Sequence, residues 1–286
     1  MTRTRNSIDT WALAAFTTVS FAAQGCGAAP GYDPEVLATL PRESVAGSSG
    51  CGDPVGRSDL LVGDVVLDLG SGTGIDLVLA ARKVGPSGYV FGIDRSPRMV
   101  TAARAVIGAV GIRNVEVCEG RMEALPNPAG STDWVLANCA VNAAIDKPKV
   151  FAEIERVLKP GGQTRIADVF AAGLPASFDS VAGLVGSCLA EATDEADYIA
   201  GLAAAGLTDI AIGGRYVYDQ WQLAAMVPAR QGVAAGAFPL TEAAEAAVGG
   251  IWRAYIYARK PYGDRAPGSG LSRPRLRFGK KGTEQP

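Results

Sequence analysis

There is no histidine anywhere in the 286 residues. An imidazole general base and imidazole zinc ligation are therefore excluded, and any proton transfer falls to carboxylates, lysines or tyrosines. Cysteine is scarce as well: Cys26, Cys51, Cys118, Cys139 and Cys188 are the whole supply. Five are too few and too spread for a disulfide scaffold, and none forms the CxxC pair of a structural zinc site. They read as reduced thiols, some of them functional. The chain also lacks any run of roughly 20 apolar residues, so no bilayer-spanning helix is expected. It lacks a dense basic stripe, and its net charge is −2, which leaves nucleic acid without the electrostatic footprint it needs. What is present, 48% hydrophobic and 20% charged residues, is the composition of a soluble globular protein with ample length for a buried core.

The N-terminus carries Arg3, Arg5, the stretch from Trp11 to Ala23 and then Gly25-Cys26, an arrangement resembling a lipoprotein signal. Thr17, Thr18 and Ser20 interrupt that stretch, and it has no leucine-rich centre. It is read here as a retained segment, a flexible start followed by a helix. From Gly25 to Asp64 the chain is rich in Gly, Pro and Ser, with a short helical stretch near Asp33 to Leu40.

A compact alternation then begins. Val65 to Leu69 is an apolar run bounded by glycines, as expected of a buried parallel strand. Ile75 to Val84 has helical periodicity and stops at Gly85-Pro86. Tyr89 to Asp94 is the next strand, and Ser96 to Val110 the next helix, with Ser96 as N-cap and Pro97 in its first position. Strands follow at Asn114 to Cys118 and Asp133 to Asn138, then a helix from Pro148 to Leu158 and a strand from Gln163 to Val169. This order predicts an α/β doubly wound parallel sheet of Rossmann type with helices on both faces. Beyond Phe170 the pattern changes. Residues 175–206 read as two helices, and Asp209 to Ile212 with Ile251 to Arg259 as a closing pair of strands. The expected organisation is an N-terminal segment (1–60), a Rossmann-like domain (61–170), a smaller C-terminal cap with the closing strands (171–262) and a tail (263–286). That tail has almost no apolar residues and is expected to be disordered.

The first strand runs into Asp68-Leu69-Gly70-Ser71-Gly72-Thr73-Gly74. The glycines let backbone approach a ligand at the following helix N-terminus with no Cβ in the way. The spacing is GxGxG behind an acidic residue, unlike the GxGxxG of dinucleotide binders. Asp94 lies 20 residues after Gly74, at the end of the second strand, where a carboxylate can take both ribose hydroxyls. A third element follows the third strand, Glu119-Gly120-Arg121-Met122-Glu123-Ala124-Leu125-Pro126. A fourth, Leu158-Lys159-Pro160-Gly161-Gly162, precedes the fifth strand. Residues 62–170 resemble the class I S-adenosylmethionine (SAM) methyltransferases in this whole series. The resemblance implies SAM as cofactor, held by Asp68, Gly70, Ser71, Gly72, Gly74, Asp94, Arg95, Met122, Glu123 and Asn138.

The fourth strand ends Asn138-Cys139-Ala140-Val141-Asn142, followed by Asp146-Lys147. In open α/β sheets the ligand crevice lies at the carboxyl ends of strands, so Cys139 should face the transferable group. Upstream stand Gly50-Cys51-Gly52 and a run with Tyr32, Glu35, Leu37, Leu40 and Pro41. After the fifth strand comes Ser187-Cys188-Leu189-Ala190-Glu191-Ala192, and the closing strand ends Ala258-Arg259-Lys260-Pro261. Over about residues 25–212 these features resemble the arsenite SAM methyltransferase family. The resemblance implies Cys26, Cys51, Cys139 and Cys188 as catalytic thiols, with As(III) held by Cys51, Cys139 and Cys188. It further implies that Cys26 and Cys51 load arsenite and form a disulfide reopened by a thiol reductant, glutathione or thioredoxin, and that the protein is cytoplasmic, with no membrane or nucleic-acid partner. As(III) is soft and thiophilic, so thiolates are its natural ligands. The chain departs from the family at Ser49, where an aromatic residue is common, at Ala140, and in the lost glycine after Cys188. Cys118 has no family counterpart and reads as core packing. Two alternatives share the cofactor motifs: a quinone-biosynthesis-type C-, N- or O-methyltransferase, which needs an acid or base at the cleft, and a metalloid-binding protein that transfers no methyl.

Overall fold

The computed structural model describes residues 31–174, 192–219 and 249–263. Among these, two short helices, α1 (Pro34–Leu37) and α2 (Arg42–Ala46), lead into β1 (Val65–Leu69). Then come α3 (Ile75–Val84), β2 (Tyr89–Asp94), α4 (Pro97–Val110), β3 (Val115–Glu119), β4 (Thr132–Asn138), α5 (Lys147–Val157) and β5 (Leu158–Ala171). The helix α6 (Glu195–Ala204) and strands β6 (Thr208–Val217) and β7 (Ile251–Arg259) follow. The strands form one seven-stranded sheet in the order β3-β2-β1-β4-β5-β7-β6. Strands β1 to β5 are mutually parallel, while β7 runs antiparallel to both β5 and β6.

The expected Rossmann-type sheet is present, and the local rules that predicted it are visible. Val66, Leu67 and Leu69 of β1 are fully buried, because helices cover both faces of a parallel strand. Ser96 caps α4 by accepting from Met99 N, with Pro97 in the first turn. One face packs Leu67, Leu69, Val135, Ile166 and Phe170 under α5 and α6. The other packs Val66, Val90, Val117 and Leu136 under α3, α4 and the N-terminal residues Tyr32 and Leu40.

Two strands differ in extent from expectation. Strand β5 starts at Leu158 rather than Gln163, because the Lys159–Gly162 stretch runs alongside the end of β7: Gly161 N donates to Lys260 O and Lys260 N donates to Gly162 O, each at 2.9 Å. Strand β6 is longer than the four residues anticipated and is irregular, with register shifts between Thr208/Ala211 and Gly213/Tyr216. The closing pair of strands forms the antiparallel edge of the main sheet. Of the two helices expected over 175–206, α6 is described and the remainder lies largely outside the described residues. The N-terminal helix, Cys26, Cys188, residues 220–248 and the tail from 264 lie outside them too. No helix among the described residues is long and apolar enough to cross a membrane.

Candidate functional site

The site forms where β1, β2 and β4 end, beside Ala167 and Asp168 of the longer β5. Gly70, Gly72 and Gly74 all take left-handed backbone, with φ of 69°, 52° and 91°. At Gly70 a second constraint applies: a Cβ there would lie 2.5 Å from Ala140 Cβ. Only glycine meets both conditions. The loop is strapped to β2, since Gly70 N and Ser71 N both donate to Ile93 O at 2.7 and 3.0 Å. Asp94 closes the strap by accepting from Gly72 N and Ser96 N, each at 2.9 Å.

Carboxylates crowd this cradle. Asp68 and Asp76 are buried, and Asp94 is half-buried. Burial, then the charges of Asp76 and Asp94, push the Asp68 carboxyl well above the usual range. Asp76 is pushed up to about 7 by burial, against the hydrogen bonds from Tyr32 and Asn138. Asp68 Oδ2 and Ser71 Oγ are buried without a hydrogen-bond partner. Unsatisfied buried acceptors of this kind are costly, and a cationic, hydroxyl-bearing ligand would satisfy them. The donor set, the glycine cradle and the paired carboxylates fit a charged nucleoside such as SAM.

Beside the cradle, Gly50-Cys51-Gly52 lies flat against the sheet end. A Cβ on Gly50 would meet Asn138 Nδ2 at 2.6 Å, and one on Gly52 would meet Tyr255 Oη at 2.8 Å and Ala167 Cβ at 2.9 Å. Asn138 is the hub of this contact. Its Oδ1 accepts from Cys51 N (2.8 Å) and Gly52 N (3.2 Å), while its Nδ2 faces Gly52 O (2.7 Å), Tyr32 Oη (2.8 Å) and Asp76 Oδ2 (3.1 Å). Tyr32 Oη in turn donates to Asp76 Oδ1 at 2.8 Å, and Tyr255 Oη accepts from Asp53 N at 2.8 Å. The cysteine loop, the cofactor carboxylates and the closing strand are thus one hydrogen-bonded unit.

Cys139 follows Asn138 directly and has φ of 53°, a conformation costing a non-glycine residue roughly 1–2 kcal/mol. Its N donates to Ala167 O at 2.8 Å. Cys51 and Cys139, both buried, share one apolar cluster with Ala167, Val169, Tyr218, Ile251 and Tyr255. Behind them, buried Asp168 accepts from Asn142 N (3.1 Å), Asn142 Nδ2 (3.0 Å) and Val169 N (3.0 Å), and burial pushes its carboxyl up to about 7. Tyr198 of α6 packs on Phe151 and Phe170. Its hydroxyl lies near Asp168 but makes no hydrogen bond of normal geometry. Burial first, then the charges of Asp168 and Cys51, hold its pKa well above the phenol range.

Of the residues singled out from sequence, Asp68, Gly70, Ser71, Gly72, Gly74 and Asp94 come together in the cradle. Met122 is half-buried against the core, and Arg95 is exposed beyond β2. Glu123 accepts from Ile145 N at 3.2 Å and pairs with Arg121 at 3.6 Å. Asn138, expected at the cofactor, bonds both the Cys51 loop and Asp76 beside the cradle. Cys51 and Cys139 fall in the same buried cluster, whereas Cys26 and Cys188 lie outside the described residues. Cys118 is half-buried on β3, packed against the core and away from the cysteine pocket. Among the described residues no three His, Cys, Asp or Glu side chains converge as a metal site. Sequence reading did not single out Asp76, Asp168, Tyr198 or Tyr255 as site residues. For the two aspartates a signal existed: a carboxylate in the first turn of an apolar helix, and another inside the apolar strand Ile166 to Phe170.

The profile of the methyltransferase domain family matches residues 60–220, more than half of the chain. The chain belongs to the methyltransferase domain family. Its relatives include named arsenic enzymes. An arsenite methyltransferase of Halobacterium salinarum is 42% identical over 139 residues, covering 49% of this chain and 35% of that protein. A demethylmenaquinone methyltransferase of Listeria welshimeri is 34% identical over 113 residues, covering 40% of this chain and 48% of that one. The arsenic (III) S-adenosylmethionine methyltransferase of Chlamydomonas reinhardtii superposes with a TM-score of 0.63 at 29% identity, over 82% of this chain and 73% of that chain. The chain spans roughly a third to a half of the length of these curated relatives.

Proposed function

We propose that this protein is an arsenite methyltransferase, transferring methyl groups from SAM to thiolate-bound As(III) as a means of arsenic detoxification. The observation that carries the reading is that Cys51 and Cys139 are buried in one cluster, tied to the glycine cradle's carboxylates through Asn138. When bound, SAM supplies an electrophilic methyl on sulfonium. The chain's own residues do the rest. Gly70 and Gly72 would admit the cofactor to the backbone, and Asp94 would accept from the ribose hydroxyls. Asp68 and Asp76, whose carboxyls burial raises in the free chain, would give up their protons to face its cationic groups.

Arsenite exchanges its hydroxyls for thiolates: each S–H loses its proton to a departing hydroxide, which leaves as water. Cys51 and Cys139 supply two sulfurs, and the family resemblance supplies Cys188 as the third. The arsenic lone pair then attacks the methyl, leaving S-adenosylhomocysteine and a cationic pentavalent methylarsenic. Two of the thiolates depart as a disulfide, which returns arsenic to As(III), and the thiol reductant reopens that disulfide. No general base is required. Positioning arsenic in line is the main work of the protein, which suits a chain without histidine. The resemblance further assigns Cys26 a place in substrate loading, a thiol reductant such as glutathione or thioredoxin as co-substrate, and the cytoplasm as location.

A second reading is favoured by one feature. Asp168, buried beside the Cys51–Cys139 cluster with its carboxyl pushed up to about 7, is the candidate acid or base for a quinol methyltransferase, and the chain also resembles proteins named demethylmenaquinone methyltransferase. Incubation of the purified chain with methyl-labelled SAM, glutathione and either arsenite or a demethylated naphthoquinol separates the two. Label on arsenic is expected. Label on the quinol alone would overturn the proposal, and arsenic binding without label transfer would leave a metalloid-binding protein.

A further inference from the structure

Cys139 occupies a backbone conformation that a non-glycine residue leaves unless its surroundings hold it there. The turn that carries it is pinned to β5 at both ends. On one side, Cys139 N donates to Ala167 O at 2.8 Å. On the other, Asn142, in the short 3-10 turn Val141–Ala143, is fully buried and reaches the next two residues of β5. Its N donates to Asp168 Oδ2 (3.1 Å), and its Nδ2 donates to Asp168 Oδ1 (3.0 Å) and Val169 O (2.6 Å). Its remaining side-chain atom, Oδ1, accepts from Thr193 Oγ1 at 3.4 Å. Thr193 is itself bridged to Phe170 of β5.

Nothing in the methyl-transfer chemistry uses Asn142 or Asp168, and neither belongs to the SAM cradle. Two fully buried polar side chains with this many mutual bonds are an expensive way to close a turn that apolar packing could close. Their effect is to fix the four-residue span from Cys139 to Asn142. Thr193 adds a second consequence: the same knot anchors the chain five residues after Cys188, the residue expected to supply another arsenic ligand.

We infer that Asn142 and Asp168 are positioning residues that hold the Cys139 turn in the geometry its sulfur needs to bind substrate. The inference rests on the arsenic reading for the identity of that substrate. A misplacement of about 1 Å costs on the order of a hundredfold in a reaction governed by alignment, so the knot should be felt in arsenic uptake and turnover and not in cofactor binding.

The test uses the full, reduced chain as wild type, Asn142→Leu and Asp168→Asn. Folding is followed by circular dichroism, SAM affinity by calorimetry, and As(III) uptake by the near-ultraviolet absorption of the arsenic–thiolate complex. Turnover is measured at saturating SAM. Both variants are expected to keep SAM affinity within about twofold, to need at least tenfold more As(III) for saturation, and to lose roughly ten- to a hundredfold in kcat, by the alignment argument above. Arsenic affinity and kcat within twofold of wild type would overturn the inference. So would SAM affinity falling in parallel with arsenic affinity, the mark of general damage. If Asn142→Leu does not fold, the isosteric Asp168→Asn carries the decision. If the wild type takes up no As(III), the arsenic reading fails separately. Positioning is then read from alkylation of Cys139, expected to be at least fivefold faster in Asp168→Asn; an unchanged rate would overturn it.

Discussion

Replacing Asn138 with alanine removes the hub between the Cys51 loop and the cofactor carboxylates. In the intact protein its amide meets Cys51 N, Gly52 N, Gly52 O, Tyr32 Oη and Asp76 Oδ2 at 2.7 to 3.2 Å. If nothing else moved, Cys51 N and Gly52 O would be left without that partner in a largely dry site, at about 1–3 kcal/mol each. Buried Asp76 would keep Tyr32 but lose its second donor. The sum, roughly 3–5 kcal/mol, exceeds what a short loop is expected to gain by docking. The loop should therefore lift off rather than the domain unfold. The consequence is local: Cys51, 5% exposed in the native structure, becomes accessible while the sheet persists. Alkylation of reduced protein, read by peptide mass spectrometry, should show Cys51 labelled at least tenfold faster in Asn138→Ala, a factor equivalent to about 1.4 kcal/mol of lost protection. Cys118 on the far edge strand serves as internal reference, its rate unchanged. Arsenic affinity should fall with the protection of Cys51. Equal Cys51 labelling in variant and wild type would refute the hub role.

Three further outcomes follow from the same geometry. Asp76 and Asp168 are raised by burial from about 3.8 to about 7, so the folded chain holds protons that the unfolded chain has released. Their contribution is fully present below the unfolded pKa and is lost as pH rises through about 7, by at most about 4 kcal/mol each. The ligand-free protein should melt higher at pH 5.5 than at pH 7.5 at fixed ionic strength; the opposite slope would sink this account of the buried carboxyls. Gly70→Ala forces a side chain into left-handed backbone 2.5 Å from Ala140 Cβ and should lower stability by roughly 2–4 kcal/mol. It should also abolish detectable SAM binding in calorimetry, and wild-type affinity would contradict the cradle. Cys118→Ser, at a half-buried position away from the pocket, should cost about 1 kcal/mol and leave arsenic methylation within twofold of wild type in a product assay. Loss of activity would mean that the cysteine roles are misassigned.

Much of this was legible because local rules and global fold agree. The buried run Val65–Leu69 and the Ser96-Pro97 cap carry their structural meaning within a few residues. So does the glycine turn, where three left-handed conformations coincide with three glycines. What was not legible depends on distant partners. Strand β5 begins five residues early because its Lys159–Gly162 stretch bonds to Lys260, about a hundred residues away in sequence. Asp76 stands in plain view two residues after Gly74, yet its partners Tyr32 and Asn138 lie 44 and 62 residues off. Tyr255 reaches Asp53 across 202 residues, and nothing near it in sequence marks it as a clamp on the cysteine loop. Asn138 shows the same effect from the other side. Its place at the end of a strand suggested a cofactor contact, and nothing near it in sequence showed that the Gly50–Gly52 loop would bond to it as well.

The central claim is methyl transfer to arsenic held by the chain's own thiolates, and a single-turnover experiment addresses it directly. Reduced protein is loaded with As(III), freed of unbound arsenic, and mixed with SAM. Arsenic speciation and S-adenosylhomocysteine are then measured on the same sample. The account predicts methylated arsenic and S-adenosylhomocysteine in equal amounts, tracking the loaded protein, and neither from Cys139→Ser. Loaded wild-type protein that yields no methylated arsenic, or a Cys139→Ser variant that yields as much as the wild type, would contradict it.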